Sequence, residues 1–310
     1  MKKIVTLVLA LAMVLTAVCA SATTVGICQL VQHEALDAAT KGFKDALTEK
    51  MPDVVFDEQN ASGDAATCAV IASTFVSNNV DLIMANATPA LQAAVAATGD
   101  IPILGTSITE YGVALDLDNF TGVTGINVSG TSDLAPLSEQ AAMVKEIFPD
   151  AKKVGLLYCA AEANSIYQVK VVEEELVKLG YEAKAYSFTD SNDVASVSAL
   201  AASECEVLYI PTDNTAAAYT ETIANEVIPA NVPVITGEEG ICRGCGVATL
   251  TISYYDIGYA TGLMAYEILA NGADVSAMPI EYAPQFVKKY NAANCEALGV
   301  AIPEGYVAIE

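Results

Sequence analysis

One segment carries most of the information about this chain: Leu208-Tyr209-Ile210-Pro211-Thr212-Asp213-Asn214-Thr215. Its apolar start is typical of a buried strand, which ends abruptly in four polar residues and is followed by an alanine-rich helical pattern from Ala216. The same order recurs at residues 25–29, 81–84 and 154–158. Open α/β sheets bind ligands where the carboxyl ends of strands meet the free N–H groups of the next helices. The sequence therefore predicts a small-molecule site built from strand ends.

The two halves of the chain follow the same layout. Val25-Gly26-Ile27 is matched by Val154-Gly155-Leu156, 129 residues later, and the strand pattern at 101–105 is matched at 232–236, 131 residues later. Short apolar strands alternate with amphipathic helices throughout, which favours parallel sheets with right-handed crossovers. We therefore predict an α/β fold of two similar lobes, each a doubly wound parallel sheet.

The regular pattern is interrupted between residues 106 and 133, where four glycines fall. Such a stretch is typical of a crossing between domains. A helix pattern at 255–270 and a strand-rich tail from residue 280 indicate that the chain crosses back and completes both lobes. We predict one lobe from residues 24–126 plus 255–283, and the other from 127–254 plus 284–310.

The first 22 residues have the pattern of a secretory signal peptide. Lys2 and Lys3 precede an uncharged stretch at 4–18, and Ala20-Ser21-Ala22 has the small residues of a signal-peptidase site. About 15 apolar residues are short for a membrane anchor. We expect an exported protein that is cleaved near Ala22. Lipid attachment at Cys19 is the less favoured alternative, because a bulky residue precedes it.

The chain is strongly acidic, with 38 Asp and Glu residues against 14 Lys and Arg residues and a formal net charge of −24 at pH 7. Such a surface repels phosphate backbones and anionic lipids. The composition therefore argues against nucleic-acid binding and against membrane binding through a basic patch.

The sequence lacks the motifs of common catalytic and cofactor sites. It contains no Gly-x-Ser-x-Gly elbow, no phosphate-binding Gly-rich loop, no Gly-x-Gly-x-x-Gly after a strand and no pair of histidines for a metal. His33, the single histidine, follows a strand end, where it either faces a ligand or bonds to local backbone. We predict no enzyme activity, no cofactor and no metal site.

Cys242 and Cys245 form the one cysteine pattern that differs from the rest. A C-x-x-C pair in an exported protein either closes a small loop as a disulfide or remains as two free thiols. A redox motif would need a following helix, whereas a strand pattern follows at 247–252. The sequence leaves the disulfide and the free thiols as open alternatives.

The predicted strand ends offer the groups that an amino-acid zwitterion needs. Its carboxylate would bind hydroxyls and free N–H groups at a helix start, such as 87–88 or 106–107. Its ammonium would bind a carboxylate, for which Asp213 is the leading candidate. A free sugar typically needs an arginine and aromatic platforms, and Arg243 is the only arginine. For each polar residue taken singly, helix capping is the alternative role.

Six motifs, in order along the chain, resemble those of the ABC-transporter substrate-binding family that includes tryptophan- and tyrosine-binding members. They are CQLVQHEALD at 28–37, ANATPA at 85–90, INVSGTSD at 126–133, YCAAEANS at 158–165, PTDNT at 211–215 and GEEG at 237–240. The resemblance implies a type I periplasmic-binding-protein fold, with two lobes, three hinge crossings and a ligand between them. This sequence departs from the family pattern at residues 242–245, where members of the family generally lack such a pair of cysteines. Carried over position by position, it implies ligand contacts from Asn86, Thr88, Ser107, Asp133, Glu162, Asn164, Ser165, Asp213, Thr215 and Glu238.

We therefore expect a periplasmic or extracellular solute-binding protein that captures an amino acid, above all an aromatic one, and delivers it as a monomer to an ABC permease. A ligand that bridges the lobes would favour closure, because both sets of polar groups are satisfied only in the closed state. A sensor of the same fold and a binder of another small solute stay as alternatives. An enzyme acting on an amino-acid derivative is the least favoured, because the sequence offers no nucleophile with an aligned base.

Overall fold

The predicted alternation of strands and helices is present as two sheets. The computed structural model describes residues 22–310, so the predicted signal peptide lies, apart from Ala22, outside the described residues. The first sheet contains β1 (Thr24–Gln29), β2 (Val55–Asn60), β3 (Leu82–Asn86), β4 (Ile103–Ile108), β5 (Val128–Ser132) and β11 (Glu281–Tyr282). Their order is β11-β5-β4-β3-β1-β2, and each neighbouring pair is parallel.

Helices cover both faces of the first sheet, because its central strands are apolar on both sides. One face packs an apolar cluster that includes Cys28, Ile83 and Phe75, and the other packs a cluster that includes Ile27 and Met84. The helices of this lobe are α1 (Glu34–Lys50), α2 (Ala65–Ser77), α3 (Thr88–Ala97), the short α4 (Tyr111–Ala114) and α11 (Tyr254–Asn271), followed by a 3-10 turn at Val275–Ala277.

The second sheet is also built mainly of parallel strands, with one antiparallel pair. It contains β6 (Lys153–Cys159), β7 (Glu182–Phe188), β8 (Val207–Ile210), β9 (Val234–Thr236), β10 (Ala248–Thr251), β12 (Val287–Tyr290) and β13 (Val307–Ala308). The order is β13-β12-β10-β9-β8-β6-β7, and only the pair β10–β12 is antiparallel. Its helices are α5 (Leu137–Ile147), α6 (Ala163–Lys178), α7 (Val194–Glu204), α8 (Asn214–Ala218), α9 (Thr220–Val227), α10 (Glu239–Cys245) and α12 (Ala292–Leu298).

Helices α1 and α11 cross at very short range in the first lobe. A Cβ added to Gly258 would lie 2.0 Å from the carbonyl oxygen of Ala39, and one added to Gly42 would lie 2.1 Å from the carbonyl oxygen of Tyr255. Only glycine allows the backbones to approach this closely. The crossing fixes the start of α11 against α1, and both helix starts border the space between the lobes.

The chain passes between the lobes three times: between β5 and α5, between β10 and α11, and between β11 and β12. Strand β5 pairs with β4, so the first sheet continues to Ser132. The predicted division at residue 126 therefore falls before the last long strand of that sheet. We propose that the first crossing follows residue 132, and the division of the remaining segments stays a prediction.

Two local predictions differ from the structure. The helix predicted from Ala216 is divided into α8 and α9 at Tyr219, whose φ and ψ of −123° and 29° are not helical. Cys242 and Cys245 lie in α10 rather than in a loop, and both are buried free thiols. The side chain of Glu238 accepts the first amides of α10 and so starts a helix where the sequence predicted a loop.

Across residues 22–310, no helix combines the length and the apolar character that a membrane crossing requires.

Candidate functional site

Two adjacent spaces lie between the lobes, at the carboxyl ends of the strands. The inner cavity has a volume of about 10 Å³ and is lined from both lobes. The outer cleft has a volume of about 840 Å³ and opens between residues such as Gly63 of the first lobe and Ser191 of the second. Asn214 borders both spaces. The strand ends of the two sheets therefore face each other, as the sequence predicted.

The predicted site residues fall into three groups by location. Five line the inner cavity: Ser107, Asp133, Asn164, Asp213 and Glu238. Glu162 and Thr215 line the outer cleft. Asn86, Thr88 and Ser165 are buried but line neither space. Asn86 donates its side-chain amide to the carbonyl of Leu36 and to the hydroxyl of Thr40, which ties the end of β3 to α1.

The strand ends of the first lobe have unusual backbone conformations. The register between β4 and β5 shifts between Gly105 and Ile108, and Ser107 within this stretch has a φ of 56°. Ala87, at the end of β3, has a φ of 88°. Left-handed conformations at residues other than glycine store strain and cluster at ligand sites. The hydroxyl oxygen of Ser107 is buried without a hydrogen-bond partner.

Asp133 lies where the chain leaves the first sheet. Its Oδ2 accepts a hydrogen bond from the hydroxyl of Tyr254 at 2.8 Å, whereas its Oδ1 is buried without a partner. Burial raises the pKa of Asp133, and the hydrogen bond from the hydroxyl of Tyr254 opposes that shift. The result is a buried carboxyl group with one oxygen already bound and one free.

Glu162 uses both carboxylate oxygens to hold the start of α8. Its Oε1 accepts the amide and the hydroxyl of Thr215 at 2.9 and 2.8 Å. Its Oε2 accepts the backbone amide of Asn214 at 3.1 Å and the side-chain amide of the same residue at 2.6 Å. This carboxylate therefore satisfies the free N–H groups of a helix start and has no oxygen left unpaired.

Asp213 joins two strand ends of the second lobe. Its Oδ1 caps α8 by accepting the amide of Ala216 at 2.8 Å, and its Oδ2 accepts the amide of Cys159, at the end of β6, at 2.6 Å. Burial, and to a lesser degree the charge of Glu162, raises the pKa of Asp213 to about 7. Of the two roles considered from the sequence, helix capping is present in the structure, and binding of the ligand ammonium by Asp213 stays a prediction.

Glu238 caps α10 in the same way. One oxygen accepts the amide of Gly240 at 2.6 Å, and the other accepts the amide of Ile241. Burial raises the pKa of Glu238 to about 7 in spite of these two bonds. Within residues 22–310, no group of three or more His, Cys, Asp or Glu residues is arranged to hold a metal ion.

The orientation of Asn164 follows from its neighbours. Its Nδ2 lies 3.0 Å from the carbonyl oxygen of Thr212 and 3.3 Å from Oε2 of Glu162, and both partners are acceptors. The nitrogen therefore belongs on that side, which leaves the carbonyl oxygen Oδ1 buried without a partner. Gln168 supports the same region, because its Oε1 accepts the hydroxyl of Thr212 at 2.9 Å.

Sequence reasoning missed several residues that also line the inner cavity, among them Tyr254, Thr212 and Leu36. Tyr254 begins α11 at a crossing between the lobes, where no strand-end pattern marks it. Thr212 lies in the segment 208–215, and its polar side chain directly before Asp213 was the available signal. Leu36 belongs to the buried face of α1, so its pattern is the same as that of a core residue.

The start of α1 touches the second lobe through two neighbouring residues. His33, which lines the inner cavity, places its Nε2 3.3 Å from Oδ1 of Asn214. Burial lowers the pKa of His33. Glu34 accepts two hydrogen bonds from Arg243, from Nε at 3.0 Å and from Nη2 at 2.9 Å. The lobes are therefore in contact across the cleft.

Two α/β lobes, three crossings and a polar cavity between the strand ends define a hinged solute-binding protein with the type I periplasmic-binding-protein fold. The model of the family of ABC transporter substrate binding proteins matches residues 24–309, and the chain belongs to this family. This is the family of transporter-associated binding proteins that the six sequence motifs indicated, so that prediction is confirmed.

Known relatives agree in sequence and in fold. The tyrosine-binding protein of Clostridioides difficile strain R20291 is 37% identical over 263 residues, which cover 83% of this chain and 75% of the relative. The structure of an ABC domain in complex with L-Trp from Streptococcus pneumonia is 30% identical, has a TM-score of 0.88, and is matched over 93% of this chain and 100% of that chain.

A third relative differs in shape. The ligand-free, open structure of a substrate binding protein with adhesive properties from Clostridium difficile is 36% identical and is matched over 93% of this chain and 99% of that chain, yet its TM-score is 0.69. The overall structure of this protein is thus more similar to that of the L-Trp complex, although the sequence identity to that complex is lower.

Proposed function

We propose that this chain is the extracytoplasmic solute-binding subunit of an ABC importer and that it binds an aromatic amino acid between its lobes. The observation that carries the proposal is a set of three buried polar atoms without partners, Oγ of Ser107, Oδ1 of Asp133 and Oδ1 of Asn164, in residues that line one cavity. Buried polar atoms are normally hydrogen-bonded. Three unpaired atoms around one cavity therefore indicate where a polar ligand binds.

The chemistry of these atoms fits an amino acid. The hydroxyl of Ser107 can donate a hydrogen bond to a carboxylate, whereas the unpaired oxygens of Asp133 and Asn164 can only accept. An α-amino acid supplies both a carboxylate acceptor and an ammonium donor. The strained backbone at Ala87 and Ser107 supports a ligand contact at the same strand ends.

An aromatic side chain is supported by the tyrosine-binding relative and by the neighbour with bound L-Trp. The inner cavity, at about 10 Å³, has room for about one water molecule, so an amino acid can enter only when the lobes separate. We propose that the ammonium and carboxylate groups occupy the enlarged inner cavity and that the ring extends toward the outer cleft, where Tyr219 contributes to the lining.

The transport role follows from closure. A ligand that contacts both lobes stabilises the closed state, and an ABC permease that binds this state would receive loaded protein in preference to empty protein. The signal-peptide pattern supports export, with cleavage near Ala22. We propose a monomer, because one chain supplies both walls of the cleft.

A thermal-shift panel tests the proposed function. L-Tyr, L-Trp and L-Phe should raise the unfolding midpoint, because a ligand at 100 times its dissociation constant adds roughly 2.7 kcal/mol to the free energy of unfolding. The D-enantiomers, a hexose and a nucleoside serve as controls. A shift with the hexose or the nucleoside, together with no shift for any amino acid, would overturn the proposal.

A further inference from the structure

The space between the lobes is bordered by four buried carboxylates, of which only one keeps a free oxygen. Glu162, Asp213 and Glu238 each use both oxygens to accept N–H groups of helix starts or strand ends. Asp133 accepts one hydrogen bond at Oδ2 and none at Oδ1, although the side chain is only 5% exposed. A buried charged oxygen without a partner is costly, so this atom needs a donor from elsewhere.

We infer that Asp133 binds the ammonium group of the ligand and that Oδ1 of Asn164 provides a second acceptor. An ammonium has three donors and no acceptor, and the two unpaired oxygens accept only, so the groups are complementary. Hydrogen bonds between ionised partners are about twice as strong as neutral ones. The inference rests on the proposed function, because it names the residue that recognises the amine of the proposed amino acid.

The two acceptors are held by different lobes, because Asp133 lies at the start of the first crossing and its backbone amide donates to the carbonyl oxygen of Ile108, in β4 of the first lobe, at 3.1 Å. Asp133 follows β5, the last long strand of the first sheet before the chain crosses over. Asn164 lies in the first turn of α6, which belongs to the second lobe. An ammonium held between them links the lobes directly. The amine therefore contributes to closure as well as to recognition.

Tyr254 is a positioning residue for this interaction. It begins α11, directly after the second crossing, and its hydroxyl donates to Oδ2 of Asp133 at 2.8 Å, which holds Oδ1 as the free oxygen. The titratable groups that face this pair are Tyr111 and Glu238, and His33 and Asp213 line the same cavity. Tyr111 is neutral, whereas the acids Glu238 and Asp213 disfavour additional negative charge, so an ammonium is the more favourable ligand group here.

Asp213 has a different role in this arrangement. Asp213→Asn keeps one acceptor oxygen but places an N–H group against the amide of either Ala216 or Cys159. We expect this change to destabilise the cap of α8 and to lower the affinity for all ligands of the cleft together, whether or not they carry an amine.

Calorimetric titration of the full mature chain with L-tyrosine and with 3-(4-hydroxyphenyl)propanoate, which lacks only the amine, tests the inference. The unaltered protein should prefer L-tyrosine by about 100-fold, as expected for a charged hydrogen bond in a buried site. Asp133→Asn should reduce the preference to about fivefold or less, and Asp213→Asn should keep it. A preference that survives in Asp133→Asn and disappears in Asp213→Asn would overturn the inference.

The pH profile of Tyr254→Phe provides a second measurement that a purely structural role would not change. This variant removes a donor that favours the charged form of Asp133, so the pH below which L-tyrosine affinity is lost should rise by about one unit. An unchanged profile would overturn the role of Tyr254.

If the unaltered protein binds no amino acid, the proposed function and this inference both fall. If it binds L-tyrosine and the preference is independent of Asp133, only the inference falls.

Discussion

Glu162, Asp213 and Glu238 explain why the strand ends of the second lobe carry so many acids. Each accepts N–H groups at a helix start, where the helix dipole stabilises negative charge. Burial nevertheless raises the pKa of Asp213 and of Glu238 to about 7, so desolvation outweighs these bonds. Asp213 and Glu238 therefore hold their protons to a higher pH than exposed acids do, although both serve as helix caps.

The stability of the ligand-free protein should consequently depend on Glu238. Its pKa is about 7 in the folded protein against an ordinary value of 4.5, so the folded form retains a proton that the unfolded form has lost between these values. The free energy of unfolding therefore falls as the pH rises from about 4.5 to 7, by at most about 3 kcal/mol for this residue. Glu238→Gln should flatten this slope in urea unfolding curves measured between pH 5 and 8.

Glu281→Gln, on the exposed strand β11, is the matched control for removal of one acid from this strongly acidic protein. It should leave the slope nearly unchanged, because an exposed group loses little solvation on folding. Equal slopes in the unaltered protein and in Glu238→Gln would show that the Glu238 carboxyl is solvated well enough to remain ionised.

The site residues were predictable in position but not in hydrogen-bonding state. The strand-end pattern located Ser107, Asp133 and Asp213 at the cavity, because polar residues after a buried strand have few other places to lie. It gave no reason to prefer Asp133 over Asp213. That difference depends on which N–H and O–H groups reach each oxygen, and Tyr254, the partner of Asp133, is 121 residues away in the chain.

At the scale of elements, the start of α1 forms the contact that most directly joins the lobes outside the cavity. Glu34 and Arg243 form a two-pronged ion pair between α1 and α10, and Arg243 also contacts Glu239 of its own helix at 3.1 Å. The Arg243 and Glu34 side chains are 40% and 50% exposed, so the contribution to stability is small. Because opening separates these elements, the ion pair biases the lobes toward closure.

Arg243→Gln should therefore weaken ligand binding modestly and in a salt-dependent manner. We expect the dissociation constant for L-tyrosine to rise about two- to fivefold at 50 mM NaCl, and the difference from the unaltered protein to shrink at 500 mM NaCl, because salt screens exposed pairs. Titration calorimetry at both salt concentrations measures the effect.

Lys288→Gln is the control for this change. The pair of Lys288 with Glu146 has similar exposure but lies within the second lobe, between β12 and α5. It should not affect the dissociation constant at either salt concentration. A loss of affinity of equal size in both variants would mean that net charge, rather than a contact between the lobes, is responsible.

The prediction of helices and strands was most reliable where a regular apolar pattern extended over many residues. The strand patterns that preceded helices and the repeat of about 130 residues were enough to predict two parallel sheets. Helix α10 was missed because its start depends on the side chain of Glu238, and the break at Tyr219 was missed because the three alanines before it favour a continuous helix. Caps and breaks of this kind depend on tertiary contacts, which periodicity does not record.

At the scale of the whole molecule, the three crossings allow the lobes to rotate as rigid bodies. Each lobe has its own apolar clusters on both faces of its sheet, so opening leaves these cores intact. The contacts that opening breaks include the 3.3 Å approach of His33 and Asn214 and the packing of α4 against α6. A ligand bound between the lobes adds contacts to the closed form alone and therefore shifts the population toward it.

Small-angle scattering should detect this closure. A compact chain of the length described here has a radius of gyration of roughly 19 Å, which we expect for the mature protein saturated with L-tyrosine. Without ligand, the lobes should populate an open form with a larger radius, because the unpaired oxygens of Asp133 and Asn164 disfavour a closed cavity that lacks a donor. Asp133→Asn should respond much less to L-tyrosine, since the amine then loses its charged partner. An identical radius with and without saturating ligand would instead mean that the protein is closed before it binds, and that the contacts between the lobes are sufficient to keep it so.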